Sequence, residues 1–337
     1  MNVLITSVGR RAYMVEYFKK ALGENGKVFV SNSDDNTVAF ERADDYVITP
    51  LIYDEKYIPF LLQYCKRNSI DFLISLFDMD LLILARNKHL FENIGTKVIV
   101  SDESVVEICN DKWKTYLFLS EHNFLTPKTF IKIENVIEAL KKGLITYPII
   151  VKPRFGCGSI GIDIAYDDDD LFFLEKKIKR KINTSYLKYE SSSTNDCVLF
   201  QEFIKGQEYG IDVINDLDGN YRNAIFKKKI AMRAGETDIA QIEEMPVSIT
   251  NEIERLGKLT KHIANMDVDV IVVDEKPNII EMNARFGGGY PFSHMAGCDL
   301  PKAIIYWLKK EDVYLSLISA RKNAIGYKEL VITEKGQ

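Results

Sequence analysis

Apolar and polar positions follow two alternating rhythms over the first hundred residues. Short apolar runs at Val3–Thr6, Lys27–Ser31, Asp45–Thr49 (ended by Pro50), Ile70–Ser75 and Lys97–Val100 predict strands. Between them, Tyr13–Leu22 places apolar residues at Tyr13, Met14, Tyr17, Phe18 and Ala21, the spacing of one helix face. Lys56–Arg67 and Leu81–Phe91 also read as helices. Strands alternating with helices build βαβ units and a parallel sheet. Residues 1–110 are therefore expected to form a Rossmann-like first domain.

The pattern changes near residue 110. Asn110-Asp111-Lys112 precedes an amphipathic helix, Trp113–His122, and Thr126-Pro127 opens a segment that runs to Tyr147-Pro148. Ile149–Lys152 predicts a short strand with a lysine at its end, Arg154–Gly161 is glycine-rich, and Ile162–Ala165 predicts another strand. Asp167–Asp170 reads as a helix start, because carboxylates favour the positive end of a helix. The basic run Lys176–Lys181 on that helix reads as a solvated face. After the polar loop Ser191–Asn195 the chain is mostly β: Val198–Phe203, Glu208–Asn215, Arg222–Ile230, Val268–Val273 and Pro277–Met282. Hairpin turns are expected at 216–219 and 274–277, with a helix over Asn251–Asn265 between them. Within Lys227–Gln241, the stretch Arg233–Asp238 reads as a loop between sheet elements over a site. The tail, 301–337, reads as a helix followed by irregular or strand structure.

Composition narrows the class. At roughly 100–200 residues per domain, 337 residues suggest two or three domains. A hydrophobic fraction of 46% with 28% charged residues is that of a soluble globular chain. The net charge of −5 argues against a nucleic-acid partner. The start lacks the basic region and long apolar run of a signal peptide, and no apolar stretch reaches the roughly 18 residues of a membrane helix. Five cysteines (Cys65, Cys109, Cys157, Cys197, Cys298) without CxxC spacing read as reduced thiols in a cytoplasm. The four scattered histidines give no zinc pattern.

Three constellations carry chemistry. In the first, Ile149–Lys152 leads into Gly156-Cys157-Gly158-Ser159-Ile160-Gly161. A dinucleotide fingerprint needs a helix after the glycines. Here a strand follows, so the loop is a hairpin tip whose backbone N–H groups can approach phosphates, with Lys152 to neutralise charge. An ordinary tight hairpin is the alternative. A protein kinase also covers ATP with such a hairpin, but its H-R-D and D-F-G motifs are missing here. In the second constellation, Glu281 and Asn283 point to one side of a strand, and a turn at 274–277 would bring Asp269 near them. Three oxygen donors of this kind suit a hard cation that also touches phosphates. Arg285 follows, and could hold a transferring phosphoryl group. In the third, the strand edge Gln201-Glu202-Phe203-Ile204 could read an adenine through its backbone, with Glu208 on ribose hydroxyls; alone, this segment reads equally as structural. Arg10 and Arg11, where a parallel sheet opens its cleft, either grip an acidic substrate or are exposed at a helix start. Arg233 either contacts substrate or triphosphate or sits in a solvated loop. Cys157 reads as incidental.

Taken in order, Lys112, Lys152 with Gly156–Gly161, Gln201-Glu202 and Glu281-x-Asn283-x-Arg285 resemble the ATP-grasp superfamily, in particular the carbamoyl-phosphate synthase large subunit. The resemblance covers about residues 1–310, with Ala284 where the family often has proline and a single glycine loop. It implies an α/β and α+β architecture: an ATP-grasp fold behind a Rossmann-like pre-ATP-grasp domain, with residues 111–200 as its lid subdomain and 201–337 as its large subdomain. It further implies that Lys112, Lys152, Gly156, Gly158, Ser159 and Gly161 hold phosphates, Gln201, Glu202, Phe203 and Ile204 hold adenine, and Glu208 takes ribose. Asp269, Glu281 and Asn283 would take Mg²⁺ or Mn²⁺, and Arg285, Lys152 and Arg233 would serve catalysis. The implied activity is an ATP-dependent carboxylate–amine ligase working through an acyl phosphate, on small-molecule substrates, with a homodimer as one option because related enzymes are frequently dimers. The alternatives are an enzyme that stops at a carbamoyl or acyl phosphate, and a non-catalytic nucleotide-binding module. A nicotinamide dehydrogenase is disfavoured by the missing glycine fingerprint after the first strand.

Overall fold

A computed structural model describes residues 1–156, 161–191 and 196–336. The chain opens with β1 (Asn2–Thr6), α1 (Ala12–Leu22), β2 (Lys27–Asn32), β3 (Asp45–Ile48), α2 (Tyr57–Arg67), β4 (Phe72–Ser75), α3 (Asp78–Glu92) and β5 (Lys97–Ile99). These strands form a parallel sheet in the order β3-β2-β1-β4-β5. Alternation along β1 supplies two cores. Val3 and Ile5 face one layer with Met14 and Phe18 of α1, while Leu4 faces the other with Leu61 and Leu84. A strand covered on both faces has to be apolar throughout, which is why Val3–Thr6 reads so uniformly.

Two helices, α4 (Glu103–Asn110) and α5 (Lys112–Glu121), lead out of this sheet. The spacing of Val105, Val106, Ile108 and Cys109 on α4 is helical, though sequence reading does not separate it from what surrounds it. Asp111 breaks α4 from α5 with extended φ/ψ and caps α5, accepting from Trp113 N at 3.0 Å and Lys114 N at 3.4 Å.

The second unit contains β6 (Thr129–Phe130), α6 (Ile133–Lys141), β7 (Ile149–Pro153), β8 (Asp163–Ala165), α7 (Asp168–Asn183), α8 (Leu187–Ser191) and β9 (Val198–Glu202). Its sheet runs β6-β9-β7-β8 and is antiparallel. Ile149 pairs with Ala165, so the glycine-rich segment does join two antiparallel strands. Asp167 caps α7, accepting from Asp170 N, as the acidic start predicted. Val151, Ile178 and Phe200 belong to a core of this unit's own.

The third unit begins with β10 (Gln207–Asn215), β11 (Tyr221–Arg233) and β12 (Glu236–Ile242), then α9 (Val247–Thr260), β13 (Asn265–Val273) and β14 (Lys276–Asn283). It closes with α10 (Tyr290–Met295), α11 (Leu300–Leu308) and β15 (Ile325–Tyr327). The strand order is β14-β13-β10-β11-β12-β15. The stretch Arg233–Asp238, expected as a loop, is instead the tip of a long β-hairpin, turned at Ala234-Gly235 with both residues at positive φ. The expected helix over Asn251–Asn265 starts and stops earlier. Lys261 and Ala264 adopt left-handed backbone (φ 48° and 61°), which ends α9 and frees Asn265 to start β13. Phe286, Tyr290, Leu300 and Ile304 pack against α1 and one face of the first sheet, so the first and third units share one core.

Candidate active site

Strand alternation builds the acidic side of the cleft. Val268 and Val270 of β13 and Met282 of β14 point into the core below, where all three are fully buried. Asp267, Asp269, Glu281 and Asn283 therefore point the other way. The β13–β14 register sets Asp269 opposite Glu281 and Asp267 opposite Asn283. All four line one cleft together with Glu208, Lys227, Lys229 and Arg285. Asp267 belongs to this face by the same two-residue period that marks Asp269, yet the sequence reading stopped at Asp269. Gly287 lies so close over Asp267 that a Cβ there would overlap the carboxyl group.

Cations from other strands meet these carboxylates. Lys229 Nζ, on β11, lies 2.7 Å from both Asp269 Oδ1 and Glu208 Oε1. The two carboxylates push the buried Lys229 ammonium well above its usual range against its desolvation. Burial raises Asp269 above the usual carboxylate range; Lys229 pulls it back, and Asp267 adds to the rise. Lys112 Nζ, on the first turn of α5, lies 2.9 Å from Glu281 Oε1 and also donates to the carbonyl of Gly156. Burial would raise Glu281, but Lys112 and Lys152 outweigh it and hold the carboxyl below its ordinary value. Deeper in, Lys227 pairs with Asp212, and both accept or donate to Ser293 under the Gly288-Gly289 turn. The run Lys227-Lys228-Lys229 carried the signal: with period two, 227 and 229 share a face.

Lys152 approaches Glu281 from the second unit, close enough for the two charges to interact. Its ammonium is 3% exposed and donates to Gln201 Oε1 at 2.8 Å, while Gln201 Nε2 donates to Thr129 Oγ at 2.9 Å. Burial pulls the Lys152 pKa down to about 8; Glu281 opposes that shift and Lys112 adds to it. The base of the glycine loop is fastened by Arg154, whose Nε and Nη2 fork onto Asp111 at 2.7 and 2.6 Å. Asp111 thus orients α5, which presents Lys112, and the strand end that presents Lys152. Gly156 (φ 104°) and Gly161 (φ 79°) take backbone that favours glycine. Gly158, Ser159 and Cys157 lie outside the described residues.

Two expectations need correction. Gln201-Glu202 is not a sheet edge: β9 lies between β6 and β7, so Gln201 faces inward onto Lys152. Backbone leaves the ladder only from Phe203 and Ile204, in the link from β9 to β10. Arg233 does not line the cleft. It ends β11 with its guanidinium 2.5 Å from Asp238 Oδ1 and 44% exposed, because the hairpin carries it outward. Arg285, expected to hold a transferring phosphoryl group, lines the cleft. It is 8% exposed and bridges Asp78 of α3 (3.0 Å) to Asp267 (3.1 Å), tying the first unit to the cleft. Of the two arginines after β1, Arg11 lines the cleft and donates to the Phe286 carbonyl at 2.8 Å, while Arg10 is exposed and does not line it.

A family model for the ATP-grasp domain matches residues 109–289, the span that holds this lysine, glycine-loop and acidic-strand arrangement. The chain belongs to the ATP-grasp family. Residues 3–99 match a PylC-like N-terminal domain. The carbamoyl phosphate synthase large chain of Clostridium acetobutylicum is 24% identical over 85% of this ATP-grasp chain, which spans only 26% of that protein. The alpha-aminoadipate–LysW ligase LysX of Sulfurisphaera tokodaii is 28% identical over 60% of this chain and 71% of its own length. In fold, the biotin carboxylase domain of Hydrogenobacter thermophilus 2-oxoglutarate carboxylase, crystallised with MgADP and bicarbonate, superposes with a TM-score of 0.74. It is 17% identical, with 96% of this chain and 73% of that chain covered. The ATP-grasp fold behind a parallel-sheet domain, expected from the motifs, is thus present. ATP and Mg²⁺ are standard for this family of ligases.

The oxygen donors fit Mg²⁺. Asp269, Glu281 and Asn283 offer two carboxylates and an amide on one face, the hard donors that Mg²⁺ takes together with phosphate oxygens. The two carboxylates already hold ammonium groups here, so the set is one that accepts cations. Among the described residues, all four cysteines are free thiols, and no helix is long and apolar enough to cross a membrane.

Proposed function

We propose that this chain is an ATP- and Mg²⁺-dependent carboxylate–amine ligase that works through an acyl phosphate and releases ADP and phosphate. The observation that carries the reading is the convergence of Lys112 and Lys152 on Glu281, 2.9 Å from the first. Phosphate-neutralising cations from one side thereby face cation-binding oxygens from the other. In this reading Lys112, Lys152 and the glycine loop hold the triphosphate. Phe203, Ile204 and Glu208 hold the nucleoside, and Asp269, Glu281 and Asn283 hold Mg²⁺. The divisions near 110 and 200 separate the entry, lid and large subdomains. The likeness to LysX over most of that ligase's length supports a single-module ligase.

The chemistry asks for positioning and charge neutralisation rather than a nucleophilic side chain. A substrate carboxylate oxygen attacks the γ-phosphorus; the bond to the bridging oxygen breaks, and ADP leaves. Lys112 and Lys152 neutralise charge on the phosphate oxygens. Mg²⁺ supplies further neutralisation there. An amine then attacks the acyl carbon, the C–O bond to phosphate breaks, and the nitrogen sheds a proton. Arg285 keeps Asp267 and the β14 end in place, and Arg11 adds positive charge at the substrate end of the cleft.

The test is ATP turnover over a panel of carboxylic acids with hydroxylamine as trap. ADP, phosphate and a hydroxamate, lost in Lys152→Ala and Glu281→Ala, support the reading. AMP and pyrophosphate would overturn it.

A further inference from the structure

A second cavity, of about 570 Å³, lies between the first unit and α8. Its floor is the carboxyl ends of β1, β2 and β4: Ser7 and Gly9, Asn32 and Ser33, and Phe77. In the order β3-β2-β1-β4-β5 the chain reverses direction of travel beside β1, the place where open parallel sheets take ligands. The volume is that of a small-molecule site.

Aromatic rings form the walls. Tyr53 stacks on Tyr189 of α8 with centroids 4.5 Å apart at 22°, and Phe77 meets Tyr186 edge-on at 6.2 Å. The Tyr53 hydroxyl donates to Glu190 at 2.9 Å, which fixes its ring. Ile52 and Leu51 add apolar surface. Lys188 brings positive charge, its ammonium 5.0 Å over the Tyr189 ring, and no carboxylate is among the described residues that line the cavity. Such a lining favours a flat apolar body that stacks on the rings.

The turn after β1 lies between this cavity and the cleft. Gly9 lines the first and Arg11 the second, and two residues span at most about 7 Å. We propose that the cavity holds the aromatic body of the carboxylate substrate, whose carboxyl group extends past the Ser7–Arg11 turn into the cleft. The substrate class is an aromatic amino acid or other aromatic carboxylate, and the assignment rests on the ligase reading.

The experiment is saturation-transfer NMR on the whole chain with Mg·ADP. The probes are L-tyrosine, L-phenylalanine and 4-hydroxybenzoate, with glycine and L-glutamate as short and acidic comparisons. Ser33→Trp fills the cavity from its rim, and Tyr189→Ala removes the stacking wall; Mg·ADP affinity is titrated separately in each. The aromatic acids are expected to bind. Their affinity should fall at least tenfold in both variants while Mg·ADP affinity stays within twofold. Equal binding in Ser33→Trp, or no aromatic binding to a wild-type chain that binds Mg·ADP, would overturn the assignment. If Mg·ADP fails to bind but aromatic acids bind and are displaced by Ser33→Trp, the pocket stands and the ligase reading falls.

Discussion

Replacing Lys152 by methionine should make the protein more stable and inactive together. The ammonium is nearly sealed off and its pKa is drawn from 10.5 down to about 8. That gap corresponds to about 3 kcal/mol, at about 1.4 kcal/mol for each tenfold in proton affinity. An unfolded lysine keeps its proton up to pH 10.5, whereas the folded one releases it near 8. Between those values the unfolded chain binds more protons, so stability rises with pH; below 8 the whole cost is carried. Methionine removes that cost but leaves Gln201 Oε1 without its donor, a loss of about 1 kcal/mol. Lys152→Met should therefore gain about 2 kcal/mol at pH 7. The advantage should shrink by about 2 kcal/mol by pH 9.5, because the wild type sheds its buried charge. Urea unfolding at both pH values measures the gap, and Mg·ADP titration the loss of binding. A variant less stable than wild type at pH 7, or a gap unchanged by pH, would refute the reasoning.

Three further outcomes follow from contacts described above. Arg285→Met leaves Asp78 and Asp267 buried without their shared cation, and should cost about 3–5 kcal/mol in urea unfolding. Asp111→Ala removes both a helix cap and the fork that holds Arg154. It should lose about 4 kcal/mol, with weaker Mg·ADP binding in calorimetry. Arg233→Ala breaks an exposed ion pair and a long, exposed hydrogen bond to the Lys328 carbonyl, so ADP release should stay within twofold and stability within about 0.5 kcal/mol.

The parts of the site that sequence reading recovers are those fixed by local period. Glu281 and Asn283 share a face because strands alternate, and Lys152 ends a strand before glycines that only a turn tolerates. What it misses depends on partners far along the chain. Lys229 becomes a site residue only because β11 lies beside β10, opposite β13, which sets its ammonium on Asp269. Arg233 looks like a loop residue because β11 and β12 slip register near Ala231, which blurs the alternation that marks a hairpin. Gln201 reads as an adenine edge because nothing local says that the two-residue strand β6 will cover it. The fold of the first hundred residues is legible because parallel strands buried on both faces have little freedom in composition.

The packing of Phe286, Tyr290 and Ile304 against α1 makes the first and third units one physical object. A break or exchange at residue 110 would strand apolar surface on both fragments, so neither the opening sheet nor the closing one can be inherited alone. The middle sheet, with a core of its own, is the removable cassette. Recombination is therefore freer to exchange the middle sheet, whereas the frame that carries the carboxylates has to travel whole.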